Sequence, residues 1–257
     1  GHTRLTEFTA RDGLEIPAFV TTPPENLYGK GPYPAIVLPH GGPWARDYLE
    51  WDPTGWTQYF AARGYVVIQP QFRGSTGWGQ KLWRAGDAEW GQKMQDDIDD
   101  SAKWLVTQGL ATPGRIAIHG YSFGGYSAYV AAVRPNGLYR CAIAGAGLSE
   151  IARIKTDANA DPFGHYNQGV AIDGLSPLNH TDKVTIPVLA YHGAADHTVP
   201  VTESRRFTDK LKLKNKPYKY VEFPNMGHQI NLWTPDDKRN ILLTVDDFLK
   251  TDCGMDH

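Results

Sequence analysis

Residues 120–124 read Gly-Tyr-Ser-Phe-Gly, a serine between glycines, directly after the apolar run Arg115 to His119. Glycine accepts backbone angles and close contacts that a Cβ forbids, and a strand turned straight into a helix demands both. The spacing G-x-S-x-G therefore reads as a nucleophile turn presenting Ser122. A glycine-rich loop without chemistry is the plain alternative, and the pattern alone does not decide between them. A serine hydroxyl is a weak nucleophile at neutral pH. It needs a base to take its proton and an acid to orient that base. It also needs peptide N–H groups aimed at the oxygen that gains charge in the transition state.

The elements that would position these groups can be read from hydrophobic patterning. Ala35 to Leu38, Tyr65 to Gln69, Arg115 to His119, Cys141 to Ala144 and Val188 to Tyr191 are short, nearly continuous apolar runs. Such runs predict strands covered on both faces. Tyr218 to Phe223 alternates and predicts a strand nearer an edge. Helical patterns lie between them: Trp56 to Arg63 before Gly64, the face Ile98, Ala102 and Leu105, the pair Phe207 and Leu211, and the stripe Ile241, Leu242, Val245, Phe248 and Leu249. The alternation predicts an α/β fold with a mostly parallel central sheet and helices on both faces. Asp12-Gly13 predicts an opening hairpin between Leu5 and Thr21. Residues 150–183 are the least regular and read as an insertion over the sheet edge. The acidic run Asp96-Asp97-Ile98-Asp99-Asp100 could suggest a metal site. Carboxylates in a first helical turn, opposing the positive end of the dipole, are the stronger reading.

Within this frame the partners of Ser122 can be sought in the order nucleophile, acid, base that α/β-hydrolases follow. Asp196 follows the strand Val188 to Tyr191, at the end where ligands gather in open parallel sheets. Three histidines come after it: His197, its chain neighbour, His257, the last residue, and His228, in the loop before the last helix. Order and elimination select His228. For the oxyanion, the N–H of Phe123 is one donor. The other falls to the turn His40-Gly41-Gly42-Pro43, where Gly42 can bring its backbone close to a substrate. His40 precedes Ser122 and reads as a shaper of that turn.

Together, GYSFGGY (120–126), HGGPWAR (40–46), FRGSTGWG (72–79), HGAADHTVP (192–200) and the Gly227-His228 pair resemble the catalytic domain of the prolyl oligopeptidase family of serine peptidases. The similar branch is that of the acylaminoacyl and dipeptidyl-peptidase-like enzymes, and the resemblance runs from about Thr6 to Leu249. It implies an α/β-hydrolase fold, Ser122 as nucleophile, Asp196 as acid, His228 as base, and an oxyanion hole from the Phe123 N–H and the Gly42 backbone. By family position, Phe123, Leu148, Ile151, Ile154 and Val199 would line the pocket beside the scissile bond, with core packing as the alternative for Leu148, Ile151 and Ile154. Prolyl-specific members carry an aromatic residue where Ile151 stands, so a broader apolar pocket is expected. The family's β-propeller domain has no counterpart in residues 1–257, which read as a single catalytic domain.

The resemblance implies hydrolysis of peptide or acyl-peptide bonds through an acyl-enzyme, and of small activated esters by the same machinery. A carboxylesterase for small or polysaccharide-linked esters is the alternative, and a binding module on an inactive hydrolase fold is a third reading. No metal or organic cofactor is implied. The 257 residues are 41% hydrophobic with a net charge of -2, which argues against a nucleic-acid surface or a basic membrane patch. No apolar run is long enough to span a bilayer. A homo-oligomer is compatible with the family. The compartment is left open, with the cytoplasm favoured over the periplasm or secretion. Cys141 reads as a small buried hydrophobe and Cys253 as a tail residue, with no disulfide framework or zinc spacing.

Overall fold

In the computed structural model, which describes residues 1–160 and 170–255, the Asp12-Gly13 turn closes a hairpin. Strands β1 (His2–Thr9) and β2 (Glu15–Thr22) pair antiparallel from His2 opposite Thr22 to Thr9 opposite Glu15. The remaining strands are β3 (Tyr33–Val37), β4 (Val66–Pro70), β5 (Ala111–Tyr121), β6 (Cys141–Gly145), β7 (Val188–Gly193) and β8 (Tyr218–Phe223). They form one sheet in the order β1-β2-β4-β3-β5-β6-β7-β8. β2 joins β4 antiparallel, and every pairing from β4 to β8 is parallel. The alternating β8 stands at an edge, as its pattern predicts.

Among the described residues eight helices connect the strands: α1 (Glu25–Tyr28), α2 (Trp56–Ala62), α3 (Gln80–Arg84), α4 (Lys93–Thr107), α5 (Phe123–Val133), α6 (Ile151–Ala160), α7 (Thr202–Leu213) and α8 (Pro235–Thr251). Part of the expected insertion over 150–183 folds as α6 and as a 3-10 segment, Pro177–Lys183, while residues 161–169 lie outside the described residues. Successive strand residues go to opposite faces. Ala35, Val37, Ile116 and Ile118 join one core cluster, with residues of α4, α5 and α7. Ile36, Leu38 and Ala117 join the other, with residues of α2 and α8. Both faces are covered, which is why these strands read as continuous apolar runs.

Helix ends follow local chemistry. Gly64, at φ 85°, reverses the chain after α2, and Tyr65 N donates to Phe60 O at 3.0 Å. At the start of α8, Thr234 Oγ1 accepts from Asp237 N (3.1 Å) and Asp237 Oδ2 accepts from Thr234 N (2.9 Å), a capping box. No helix among the described residues is long and apolar enough to cross a membrane.

The acidic run corrects a sequence expectation. Of its four carboxylates only Asp96 lies in the first turn of α4. Asp97 is buried and grips Arg73, whose Nε and Nη2 donate at 2.8 and 2.7 Å. The same guanidinium donates to Asp12 in the hairpin turn at 2.8 and 2.9 Å. Asp100 holds Arg11, and Asp99 accepts from Gln95, Tyr139 and Asn136. Burial lifts the Asp99 carboxyl to about 6 despite those donors. The run serves long-range pairing with arginines and buried donors more than the helix dipole.

The cysteines are a second correction. Cys141, at the start of β6, and Cys253, just after α8, form a disulfide across a sequence separation of 112. Only the completed fold brings the two positions together, so spacing could not reveal the pair. Closing so long a loop restricts the unfolded chain, an effect of about 2–4 kcal/mol. Cys253→Ser is expected to lower stability by about that amount in urea unfolding, and a reducing agent should bring the wild type down to meet it.

Candidate active site

β5 ends at Tyr121 and α5 begins at Phe123. Ser122, between them, has φ 59° and ψ -118°, a conformation that costs a non-glycine residue on the order of 1–3 kcal/mol. Its N–H donates to Gly145 O on β6 at 2.9 Å. The flanking glycines exist for close approach. A Cβ on Gly120 would stand 2.4 Å from Gly124 backbone atoms, and one on Gly124 would stand 2.2 Å from Pro39 O. Three backbone segments, the end of β3, the serine turn and the first turn of α5, meet with no room for a methyl group.

That contact brings the 40–43 turn over the serine. A Cβ on Gly41 would lie 3.5 Å from Ser122 Cβ, and Gly42 has φ 123°. Phe123 is the first helical residue, so its N–H has no partner within α5. His40 Nδ1 donates to Gly41 O at 2.7 Å, and its Nε2 accepts from Ser75 Oγ at 2.8 Å. The His40 ring stacks on Phe72 at 4.5 Å, and Phe72 stacks on Phe123 at 5.5 Å. The segment 72–75 is fixed in turn by Arg73, through its backbone bond to Asp97 (2.9 Å) and its guanidinium. A buried ion pair thus stands two contacts away from the candidate oxyanion turn.

Asp196 follows β7, and His228 lies in the loop between β8 and α8. His228 Nδ1 donates to Asp196 Oδ2 at 2.6 Å, and Ser122 Oγ donates to His228 Nε2 at 3.0 Å. The structure therefore brings together three residues that stand 106 and 32 positions apart in sequence. Asp196 Oδ1 accepts from the backbone N–H groups of Thr198 (2.9 Å) and Val199 (2.8 Å). A second imidazole also faces Asp196. His192 Nε2 donates to Val199 O at 2.9 Å and lies 3.4 Å from Asp196 Oδ2, while its Nδ1 accepts from Ser204 Oγ at 2.7 Å. Burial acts to raise the Asp196 carboxyl, but the donors from His192, His228 and Val199 outweigh it and hold the group well below the usual carboxylate range.

The His228 loop is braced from below. Tyr121 lies 5.2 Å from the His228 ring, and Trp233 meets Tyr121 edge-on at 4.9 Å. Trp233 Nε1 donates to Gly227 O at 2.9 Å, closing the loop on itself.

A cavity of about 540 Å³ opens beside Ser122 and His228. Gly41, Gly42 and the segment 228–231 line it, together with Leu38, Trp56 and Asp47. Phe123, Leu148, Ile151, Ile154 and Val199 are not among its walls. Ile151 and Val199 are buried, and Leu148 and Ile154 pack half-buried against the main core. α6, which carries two of them, leads into residues outside the described ones.

Residues 52–256 match the prolyl oligopeptidase family of peptidases. The chain belongs to the prolyl oligopeptidase family. Among curated relatives of this family, a dipeptidyl aminopeptidase BIII of Pseudoxanthomonas mexicana is 33% identical over 240 residues, covering 86% of this chain and 34% of its own. An acylamino-acid-releasing enzyme of Arabidopsis thaliana is 27% identical, covering 77% of this chain and 28% of its own. The solved structure of a puromycin-hydrolyzing peptidase of Mycobacterium tuberculosis superposes with a TM-score of 0.86 at 28% identity, over 99% of this chain and 40% of that one. The fold is the α/β-hydrolase fold, and the chain spans about a third of the length of the curated relatives it matches.

Within this prolyl oligopeptidase family chain, several positioning residues escaped the sequence reading. His192 stands in the quoted motif HGAADHTVP, yet a search for a base downstream of Asp196 passes over a histidine four positions upstream. Arg73 and Ser75 lie in FRGSTGWG, with nothing local to indicate that they support the 40–43 turn. Trp233 stands in none of the motifs that carry the family resemblance.

Two outcomes follow from this geometry. Gly124→Ala should fold poorly or lose several kcal/mol in chemical denaturation, because Pro39 O is backbone and cannot yield (of the order seen for severe overpacking). The short His228–Asp196 hydrogen bond should give a proton resonance well downfield of the amide region. It should vanish in His228→Ala and move in His192→Ala, where Asp196 loses one of its donors.

Proposed function

We propose that this chain carries the hydrolytic centre of a serine peptidase acting on peptide or acyl-peptide bonds. The observation that carries the reading is the continuous hydrogen-bonded chain Ser122–His228–Asp196, at 3.0 and 2.6 Å, beneath a glycine turn and a helix start. Ser122 Oγ attacks the substrate carbonyl carbon while His228 Nε2 takes its proton. The tetrahedral oxygen receives hydrogen bonds from Phe123 N–H and the Gly42 backbone, each such donor being worth about 3 kcal/mol in the transition state. His228 then protonates the departing amine, the carbon–nitrogen bond breaks, and an acyl-serine remains. Water, deprotonated by His228, attacks the acyl carbon; the bond from that carbon to Ser122 Oγ then breaks, His228 returns the proton to Oγ, and the acid is released. Asp196 stays ionised throughout, holding the imidazole's orientation and stabilising its cationic form.

Leu148, Ile151, Ile154 and Val199 remain the proposed apolar surface for the acyl side. The names of the relatives, a dipeptidyl aminopeptidase and an acylamino-acid-releasing enzyme, support a peptide or acyl-peptide substrate. That all eight strands among the described residues share one sheet supports a single catalytic domain over residues 1–257. The Cys141–Cys253 bond favours an oxidising compartment over the cytoplasm expected from sequence.

Intact mass after fluorophosphonate treatment tests the assignment. One adduct is expected on the wild type and none on Ser122→Ala, and an unlabelled folded wild type would refute it. Turnover of an acyl-amino-acid anilide should accompany that of a nitrophenyl ester. Fast ester hydrolysis with negligible anilide cleavage would transfer the assignment to a carboxylesterase.

A further inference from the structure

The side of the site on which the cavity lies follows from proton transfer. In acylation His228 Nε2 gives its proton to the leaving atom, so the leaving half of the substrate must lie beside His228. The cavity wall continues from His228 through Gln229, Ile230 and Asn231, and the proposed acyl-side residues are absent from it. At about 540 Å³ it falls within the range of pockets that enclose small ligands.

Its walls are mainly apolar, with Leu38, Ala45, Pro53, Trp56 and Ile230 contributing. Two aspartates line it, Asp47 and Asp52, and they differ. Asp52 is committed to its own turn: Oδ1 accepts from Thr54 N and Oγ1, and Oδ2 accepts from Thr57 N and Oγ1. Asp47 accepts one side-chain hydrogen bond, from Gln71 Nε2 to Oδ2 at 2.8 Å, with Gln69 nearby as a weaker donor. It has no ion pair among the described residues. The nearby basic side chains are engaged elsewhere. The Arg46 guanidinium lies over the rings of Tyr48 and Trp78, at 4.6 and 4.5 Å, and donates to the carbonyls of Asp47 and Gly77. Lys238 donates to Pro53 O at 3.2 Å, and His40 is held by Gly41 and Ser75. Burial pushes the Asp47 carboxyl upward, although the neighbouring His40 ring and the Gln71 and Gln69 side-chain donors act to lower it. An apolar channel with one such carboxylate suits a side chain with an aliphatic stem and a cationic head.

Building on the peptidase reading, we propose that this cavity receives the first residue on the leaving side of the scissile bond, and that Asp47 selects lysine or arginine there.

The test uses peptide amides that share one acyl half and differ at the leaving residue: lysine, arginine, norleucine and glutamate. Lysine and arginine should exceed norleucine in kcat/KM by tenfold or more, with glutamate lowest. Asp47→Asn should collapse the lysine-to-norleucine ratio towards one, and Asp47→Glu should retain part of it, with circular dichroism and thermal unfolding confirming that both variants fold. A flat series in the wild type, or a ratio that survives Asp47→Asn, would overturn the proposal. Binding of lysinamide and norleucinamide to Ser122→Ala by calorimetry separates this subsite from the peptidase reading. Preferential lysinamide binding that the added Asp47→Asn change removes would uphold the subsite even if no amide were cleaved. Equal binding of the two amides would overturn it.

Discussion

The structure depends on a packing constraint between backbones. Gly124 must touch Pro39 O, and Gly120 must touch Gly124, with no room for a methyl group between them. This contact joins the C-terminal end of β3 to the serine turn after β5, two neighbouring strands of the parallel sheet. It sets Ser122 at an unfavourable backbone angle and lays the 40–43 turn against it. The strain is local, and the parallel pairing of β5 with both β3 and β6 holds the serine turn against relaxation. A candidate nucleophile and its candidate oxyanion donors therefore acquire a fixed relation without any side chain joining them directly.

Electrostatics then settles what the frame positions. Asp196 is surrounded by donors from two imidazoles and two peptide N–H groups, so it remains an anion in a buried place. Only one imidazole reaches Ser122. The other, His192, is fully buried and tied to Ser204 and Val199, which fixes its tautomer as an Nε2 donor. On the opposite flank, Arg73 unites the hairpin turn, α4 and the 72–75 segment. Its charge is matched by two carboxylates rather than one, and of these Asp97 is fully buried, so losing the Arg73–Asp97 contact would leave an ion unpaired in the interior, where unpaired charges are costly.

Much of this was legible in the sequence, and the limits have physical causes. Strand runs such as Ala35 to Leu38 and Val188 to Tyr191 announce themselves because both sheet faces are covered. Ser122, Asp196 and His228 could be named because chain order and strand position constrain them strongly. Contacts that close over long separations left no local trace: Cys141 with Cys253, Arg73 with Asp97 and Asp12, Trp233 with Tyr121. The acidic run on α4 illustrates the difference. Its composition suggested an interaction with its own helix, whereas Asp97, Asp99 and Asp100 each answer to a partner elsewhere in the fold. The cavity around Asp47 was likewise invisible, because its walls come from the ends of β3 and β4, the 40–54 segment and the His228 loop.

The disulfide also has a mechanical meaning. It fastens the chain just beyond α8 to the first residue of β6, in the interior of the sheet. Tension applied to the polypeptide beyond Cys253 is therefore transmitted covalently to β6 and bypasses α8. The loop carrying His228, which precedes α8, is thereby shielded from load.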